Sequence, residues 1–239
     1  MTGLSFANAG AQNLKVAIAA NLQPVMKELQ KDFKQKTGIT IDAISGPSGN
    51  LAAQVKNGAP YDVFLSADTK FPQDLYKTGF TVKAPVVYAQ GALIICSTQK
   101  LDYTNWAALL SANKITKIAI GNPAIAPYGK AAEEALKKAG IYDRVKHKIV
   151  LGESISQVNT YITTGVVSVG FTTLALVKDP ANKTSLSYAL IDPKSYTPIE
   201  QGMVLLKNAQ RNKNALKFYQ YILSPAAKVL FKKFGYQVK

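Results

Sequence analysis

The chain has one cysteine, one histidine and two arginines, and each scarcity removes a class of function. Cys96 has no second thiol with which to close a disulfide, and its place in the apolar run ALIIC predicts a small buried hydrophobe. His147 stands alone in the charged stretch VKHKI, so a surface position is expected rather than a metal ligand or a base. No Cys–His cluster, GxSxG, Walker loop or glycine-rich dinucleotide fingerprint occurs. No apolar run approaches the roughly 18 to 20 residues that a membrane-spanning helix needs, and the mean hydropathy of zero agrees with a water-soluble chain.

The shortage of arginine also decides how the net charge of +15 is read. Arg144 and Arg211 are the only arginines, which leaves 27 lysines among 29 basic residues. Base readout and phosphate clamping favour the planar guanidinium, and these lysines are scattered along helix-like segments such as Lys27, Lys31 and Lys34. A solvated lysine surface is expected, with no nucleic acid as partner. Its diffuse positive field would still steer anions toward the protein.

What is present is enough for a core: 239 residues, 47% of them hydrophobic, fit one large or two modest domains. Residues 1–12, MTGLSFANAGAQ, resemble the tail of a secretory signal, because Ala7-Asn8-Ala9 and Ala9-Gly10-Ala11 offer the small-x-small pattern of a cleavage site. From Asn13 onward, strand-like and helix-like segments alternate, the signature of an α/β fold. LKVAIAA reads as a strand leading into a helix that carries Val25, Leu29 and Phe33 at a spacing of four and stops at Gly38. ITIDAIS, YDVFLSAD, KIAIGN, VSVGFTT and QGMVLLKN read as further strands; KAAEEALKKAG, SQVNTYITTG, NALKFYQYILS and PAAKVLFKKFG read as helices. A strand and two helices left over at the C-terminus suggest a chain that enters a second domain and returns to complete the first. The expected division is one lobe of residues 13–90 plus 200–239 and another of residues 91–199, two mixed-sheet α/β domains joined by a two-strand hinge.

Four strand-to-helix turns are built alike, around Asn21, Ser48, Tyr128 and Ile155. A helix N-terminus carries unsatisfied N–H groups and a partial positive charge, so it binds anions without a cationic side chain. Four such turns facing one cleft would form a neutral cage of donors, although Asn and Ser before a helix are also ordinary caps. The turns hold no charged residue except Lys130 and Glu153. A protonated phosphate would profit from a carboxylate that accepts its proton, whereas beside a fully ionised dianion an unpaired carboxylate repels. Glu153 is therefore expected at solvent or a helix end. Asp62 and Asp68 flank one strand and would lie about 20 Å apart at 3.3 Å per residue, too far to share acid–base work; Asp68 reads as a helix or turn cap.

The stretches VAIAANL (16–22), NGAPYDVFLSAD (57–68), GNPAIAPYGKAAEEAL (121–136) and FKKFGY (231–236) resemble those of the periplasmic molybdate-binding proteins. The resemblance runs from Asn13 over nearly the whole chain and implies a two-lobed periplasmic-binding-protein type II fold. It also implies a non-enzymatic role without a cofactor: capture of molybdate or tungstate and delivery, by a monomer in the periplasm, to the permease of an ABC importer and its ATPase subunit. A native lipid anchor, a different anion such as sulfate, and an enzyme on the same scaffold stay open. Carried over residue by residue, Asn21 and Ser48 offer side-chain and backbone donors, and Tyr128 and Ile155 offer backbone N–H groups. The chain has Thr173 where many members place a ligand-bonding Tyr, and Tyr128 is a candidate to replace it.

Overall fold

The computed structural model describes residues 14–238; the small-x-small pattern at residues 7–11 lies outside them. The chain begins with β1 (Leu14–Ala19), a 3-10 turn (Ala20–Leu22), α1 (Gln23–Thr37), β2 (Ile41–Gly46), α2 (Ser48–Lys56), β3 (Val63–Leu65) and α3 (Lys70–Lys77). Next come β4 (Val86–Gly91), β5 (Leu93–Ser97), α4 (Trp106–Ser111), β6 (Ile118–Gly121), α5 (Pro127–Lys138) and α6 (Tyr142–Val145). After these follow β7 (Ile149–Gly152), α7 (Ile155–Thr163), β8 (Val169–Thr173), α8 (Leu174–Lys178) and β9 (Ser187–Leu190). The last elements are β10 (Ile199–Leu205), α9 (Lys213–Ile222) and α10 (Pro225–Lys233).

Two five-stranded mixed sheets result, ordered β2-β1-β3-β10-β4 and β7-β6-β8-β5-β9. In the first, β1 runs parallel to β2 and β3, while β10 is antiparallel to β3 and β4. In the second, β6 runs parallel to β7 and β8, and β5 is antiparallel to β8 and β9. The described chain leaves the first sheet after Gly91, enters the second at Leu93, and returns between Leu190 and Ile199. This is an α/β fold of two lobes joined by two crossing segments.

The local reasons are those of the sequence. α1 buries Val25, Met26, Leu29 and Phe33 on one stripe and ends at Gly38, whose φ of 72° is open to glycine and whose N–H donates to Lys34 O at 2.8 Å. The C-terminal helices close the first lobe against that stripe: Phe33 meets Phe218 edge-on at 5.3 Å between ring centroids, and Phe231 lies in the same core. Cys96 is buried in β5 of the second lobe, and burial pushes its thiol up to about 12. Asp62 is a structural acceptor, taking Lys15 N–H at 2.8 Å and Asn212 Nδ2 at 3.0 Å. Asp68 takes Phe71 N–H at 3.2 Å and the Ser66 hydroxyl at 3.0 Å, which makes it the expected turn cap. His147 is exposed. Among the described residues, no helix is long and apolar enough to cross a membrane, and no group of three or more His, Cys, Asp or Glu could hold a metal ion.

Candidate binding site

The parallel strands β1, β2, β6 and β7 end at the gap between the lobes, so the turns that follow them meet there. This is where open α/β sheets place ligands. One small, nearly closed cavity is lined by Ala20 and Asn21 of the 3-10 turn, Pro47 and Ser48 at the start of α2, and Ala67 after β3. From the other lobe it receives Pro127 and Tyr128 at the start of α5, and Ile155 at the start of α7. The structure thus brings Asn21, Ser48, Tyr128 and Ile155 to one cavity, two from each lobe, and no residue that lines it is charged.

The donors are free for local reasons. Ser48, Tyr128 and Ile155 stand in the first turn of their helices, where no helical acceptor exists. Their N–H groups have no hydrogen-bond partner among the described residues. Neither α2 nor α5 has a side-chain cap; in α7 the Ser154 hydroxyl caps Gln157 N–H at 3.2 Å and leaves Ile155 N–H untouched. Ser48 is not the cap of its helix. Its Oγ accepts Ala67 N–H at 3.1 Å, which leaves its own hydrogen to donate into the cavity. The charged residues of the turns stay outside: Glu153 and Lys130 are exposed, and Lys130 pairs with Glu134 at 3.7 Å.

The side chain of Tyr128 goes elsewhere. It is fully buried, and a Cβ placed on Gly91 would stand 1.9 Å from its hydroxyl oxygen, so the ring closes down on the crossing segment because residue 91 is glycine. The hydroxyl lies against Gln201 and Thr173, neither of which lines the cavity. Thr173 turns its Oγ1 to Ala175 N–H at 3.1 Å and caps α8. The lobes are in contact around the cavity. Gly49 N–H donates to Ile125 O at 3.1 Å, and the Ser156 hydroxyl donates to Gln23 Oε1 at 2.5 Å.

Residues 14–237 match the model of a family described as bacterial extracellular solute-binding protein. The chain belongs to that family. It is 35% identical over 235 residues to the molybdate-binding protein ModA of Azotobacter vinelandii, covering 98% of this chain and 93% of that relative. It is 34% identical over 229 residues to the molybdate-binding protein ModA of Rhodobacter capsulatus, covering 95% and 89%. The solved structure of the Azotobacter vinelandii periplasmic molybdate-binding protein matches with a TM-score of 0.90 at 34% identity, covering 95% of this chain and 100% of that one.

Behind Asn21 this solute-binding protein keeps a buried polar cluster that reading by segments passed over. Asn21 Nδ2 donates to Gln201 Oε1 at 2.9 Å and to the Tyr236 hydroxyl at 3.0 Å, and that hydroxyl donates to Asn21 O at 2.8 Å. The Tyr88 hydroxyl reaches Ser66 O at 3.1 Å. Burial holds the hydroxyls of Tyr88, Tyr128 and Tyr236 well above the usual tyrosine range, so all three remain neutral donors. A Gln inside the otherwise apolar strand QGMVLL was the available signal for this cluster.

Proposed function

We propose that this chain captures molybdate or tungstate in the cavity between its lobes and delivers it to the permease of an ABC importer, driven by an ATPase subunit. It acts from the periplasm as a monomer and as a carrier rather than an enzyme. The observation that carries this reading is the convergence of uncommitted, uncharged donors from both lobes on one small cavity: three first-turn N–H groups and the Ser48 hydroxyl. A dianion gains a hydrogen bond from each and the partial positive charge of three helix ends, with no carboxylate to repel it. The relatives that bind molybdate, similar over nearly the whole chain, support the same choice.

The mechanism follows from the division of donors. An open form offers Asn21 and Ser48 on one lobe and Tyr128 and Ile155 on the other, so a bound oxyanion favours the closed form that brings them together. The contacts Gly49–Ile125 and Ser156–Gln23 then form across the gap. A direct test is to incubate the purified chain with molybdate, desalt it and measure molybdenum by elemental analysis. About one atom retained per chain is expected; none retained would refute the reading.

A further inference from the structure

Three buried polar atoms at the hinge have no hydrogen-bond partner: Asn21 Oδ1, Gln201 Nε2 and the Tyr128 hydroxyl. They belong to one contiguous chain of side chains. Asn21 lines the cavity, its Nδ2 is engaged with Gln201 and Tyr236, and its unpaired oxygen remains. On the far side of Gln201, the Nε2 atom and the Tyr128 hydroxyl both crowd Gly91, at 3.1 and 1.9 Å from where its Cβ would stand. A carboxamide has nearly the same shape either way round, so its partners decide which end is oxygen. With Asn21 and Gln201 both turned over, and the Tyr236 hydroxyl swinging its one hydrogen from Asn21 O to the Oδ1 that replaces Nδ2 beside it, all three orphans find a use. Gln201 Oε1 accepts from the Tyr128 hydroxyl, Gln201 Nε2 donates to Asn21 Oδ1, and Asn21 Nδ2 is released as a donor to an anion in the cavity.

We infer that Gln201 is a positioning residue for Asn21, and that in the oxyanion-bound protein the two carboxamides stand turned over together as one donor chain from Tyr128 through Gln201 and Asn21 to the oxyanion. The inference rests on the oxyanion reading of the cavity. Turning only Asn21 would set its oxygen against Gln201 Oε1, two acceptors face to face, so the amides turn as a pair. The chain starts on α5 of one lobe, passes through β10 where the segment returns from the other lobe, and ends on the turn after β1. Orientation of the Asn21 donor therefore depends on the seat of Tyr128 across the hinge.

The test is a double-mutant cycle read by calorimetric titration with molybdate, with thermal unfolding as the check of folding. Gln201→Leu is expected to weaken binding tenfold or more in the chain that retains Asn21, and by less than twofold in the Asn21→Ala background. Equal losses in both backgrounds would mean a merely structural role, and no loss with Gln201→Leu would equally overturn the proposal. A second arm uses the wild-type chain, so it does not depend on the variants folding. With molybdate bound, nuclear Overhauser contacts from the Gln201 side-chain NH2 should reach Asn21 and not the Gly91 Hα; persistence of the Gly91 contact overturns the proposal. A wild-type chain that binds no molybdate would overturn the oxyanion reading itself, and the proposal with it.

Discussion

Gly49 of one lobe and Ile125 of the other touch backbone to backbone, with the Gly49 N–H 3.1 Å from the Ile125 carbonyl oxygen. A Cβ at position 49 would lie 3.1 Å from Ile125 Cα across the gap, and 3.0 Å from Phe71 Cζ of its own lobe, so the close approach to Ile125 depends on the absence of a side chain there. Gly49 lies in the first turn of α2, where a larger residue is no obstacle to the helix itself. Gly49→Val is therefore expected to bind molybdate about tenfold more weakly, a change of about 1.4 kcal/mol, beyond the modest loss of stability without ligand that crowding of Phe71 in the same lobe brings. Unchanged affinity in titration would mean that ligand capture does not need this contact.

Ser48→Ala removes a hydroxyl donor to a desolvated dianion, worth about 1.5 to 3 kcal/mol, so molybdate affinity should fall roughly ten- to a hundredfold. The same change leaves Ala67 N–H without its acceptor, and a buried unpaired donor costs about 1 to 3 kcal/mol. Chemical denaturation should accordingly show a loss of stability beside the loss of affinity. Asn21→Ala should weaken binding to a comparable degree. If both variants fold and bind as wild type does, the site is misassigned.

Ile155 separates backbone from side chain. Only its N–H is invoked, so Ile155→Val should leave affinity nearly unchanged, whereas Ile155→Pro deletes the donor and should reduce binding severely. Proline is tolerated in a first helical turn, and circular dichroism of the variant checks that α7 persists. Equal binding by the two variants would exclude this N–H from the site.

Much of this was legible in the sequence because it is local. β1, α1, β2 and α5 follow from apolar runs, helical spacing and glycine stops, and the turns at residues 21, 48, 128 and 155 could be compared by their shared pattern. β5 was visible only as the apolar run around Cys96, because all five of its residues are buried and no alternation marks it. YDVFLSAD contains a strand of only three residues, and the flanking Asp62 and Asp68 carboxylates accept the Lys15 and Phe71 N–H groups. The contact of Asn21 with Gln201 joins residues 180 positions apart, and no local pattern announces it.

Burial raises the Asp68 carboxyl above its ordinary value near 3.8, against hydrogen bonds from Phe71 N–H and the Ser66 hydroxyl and the charges of Lys70 and Lys130. The folded state thus keeps this proton to higher pH than the unfolded state does, so the group costs stability as pH rises from its unfolded value through its folded one. Asn cannot ionise and retains an acceptor for Phe71 N–H. Asp68→Asn is expected to be at least as stable as wild type near neutral pH, with the advantage shrinking toward about pH 3, in thermal unfolding across that range. Its molybdate affinity should be unchanged, because Asp68 does not line the cavity. A variant less stable by the same margin at both ends of the range would show that the weaker acceptor strength of an amide oxygen toward Phe71 N–H and the Ser66 hydroxyl outweighs the relief from burial.

The central claim is that a small neutral cage of donors selects a proton-free dianion with long metal–oxygen bonds. Calorimetric titration of the purified chain with molybdate, tungstate, sulfate and phosphate in turn tests it most directly. A cage fitted to the larger ions leaves sulfate with stretched hydrogen bonds, and a protonated phosphate finds no carboxylate to take its proton. The account predicts sub-micromolar binding of molybdate and tungstate and at least about a hundredfold weaker binding of sulfate, a gap of roughly 2.7 kcal/mol. Equal affinity for sulfate, or tighter binding of phosphate than of molybdate, would contradict it.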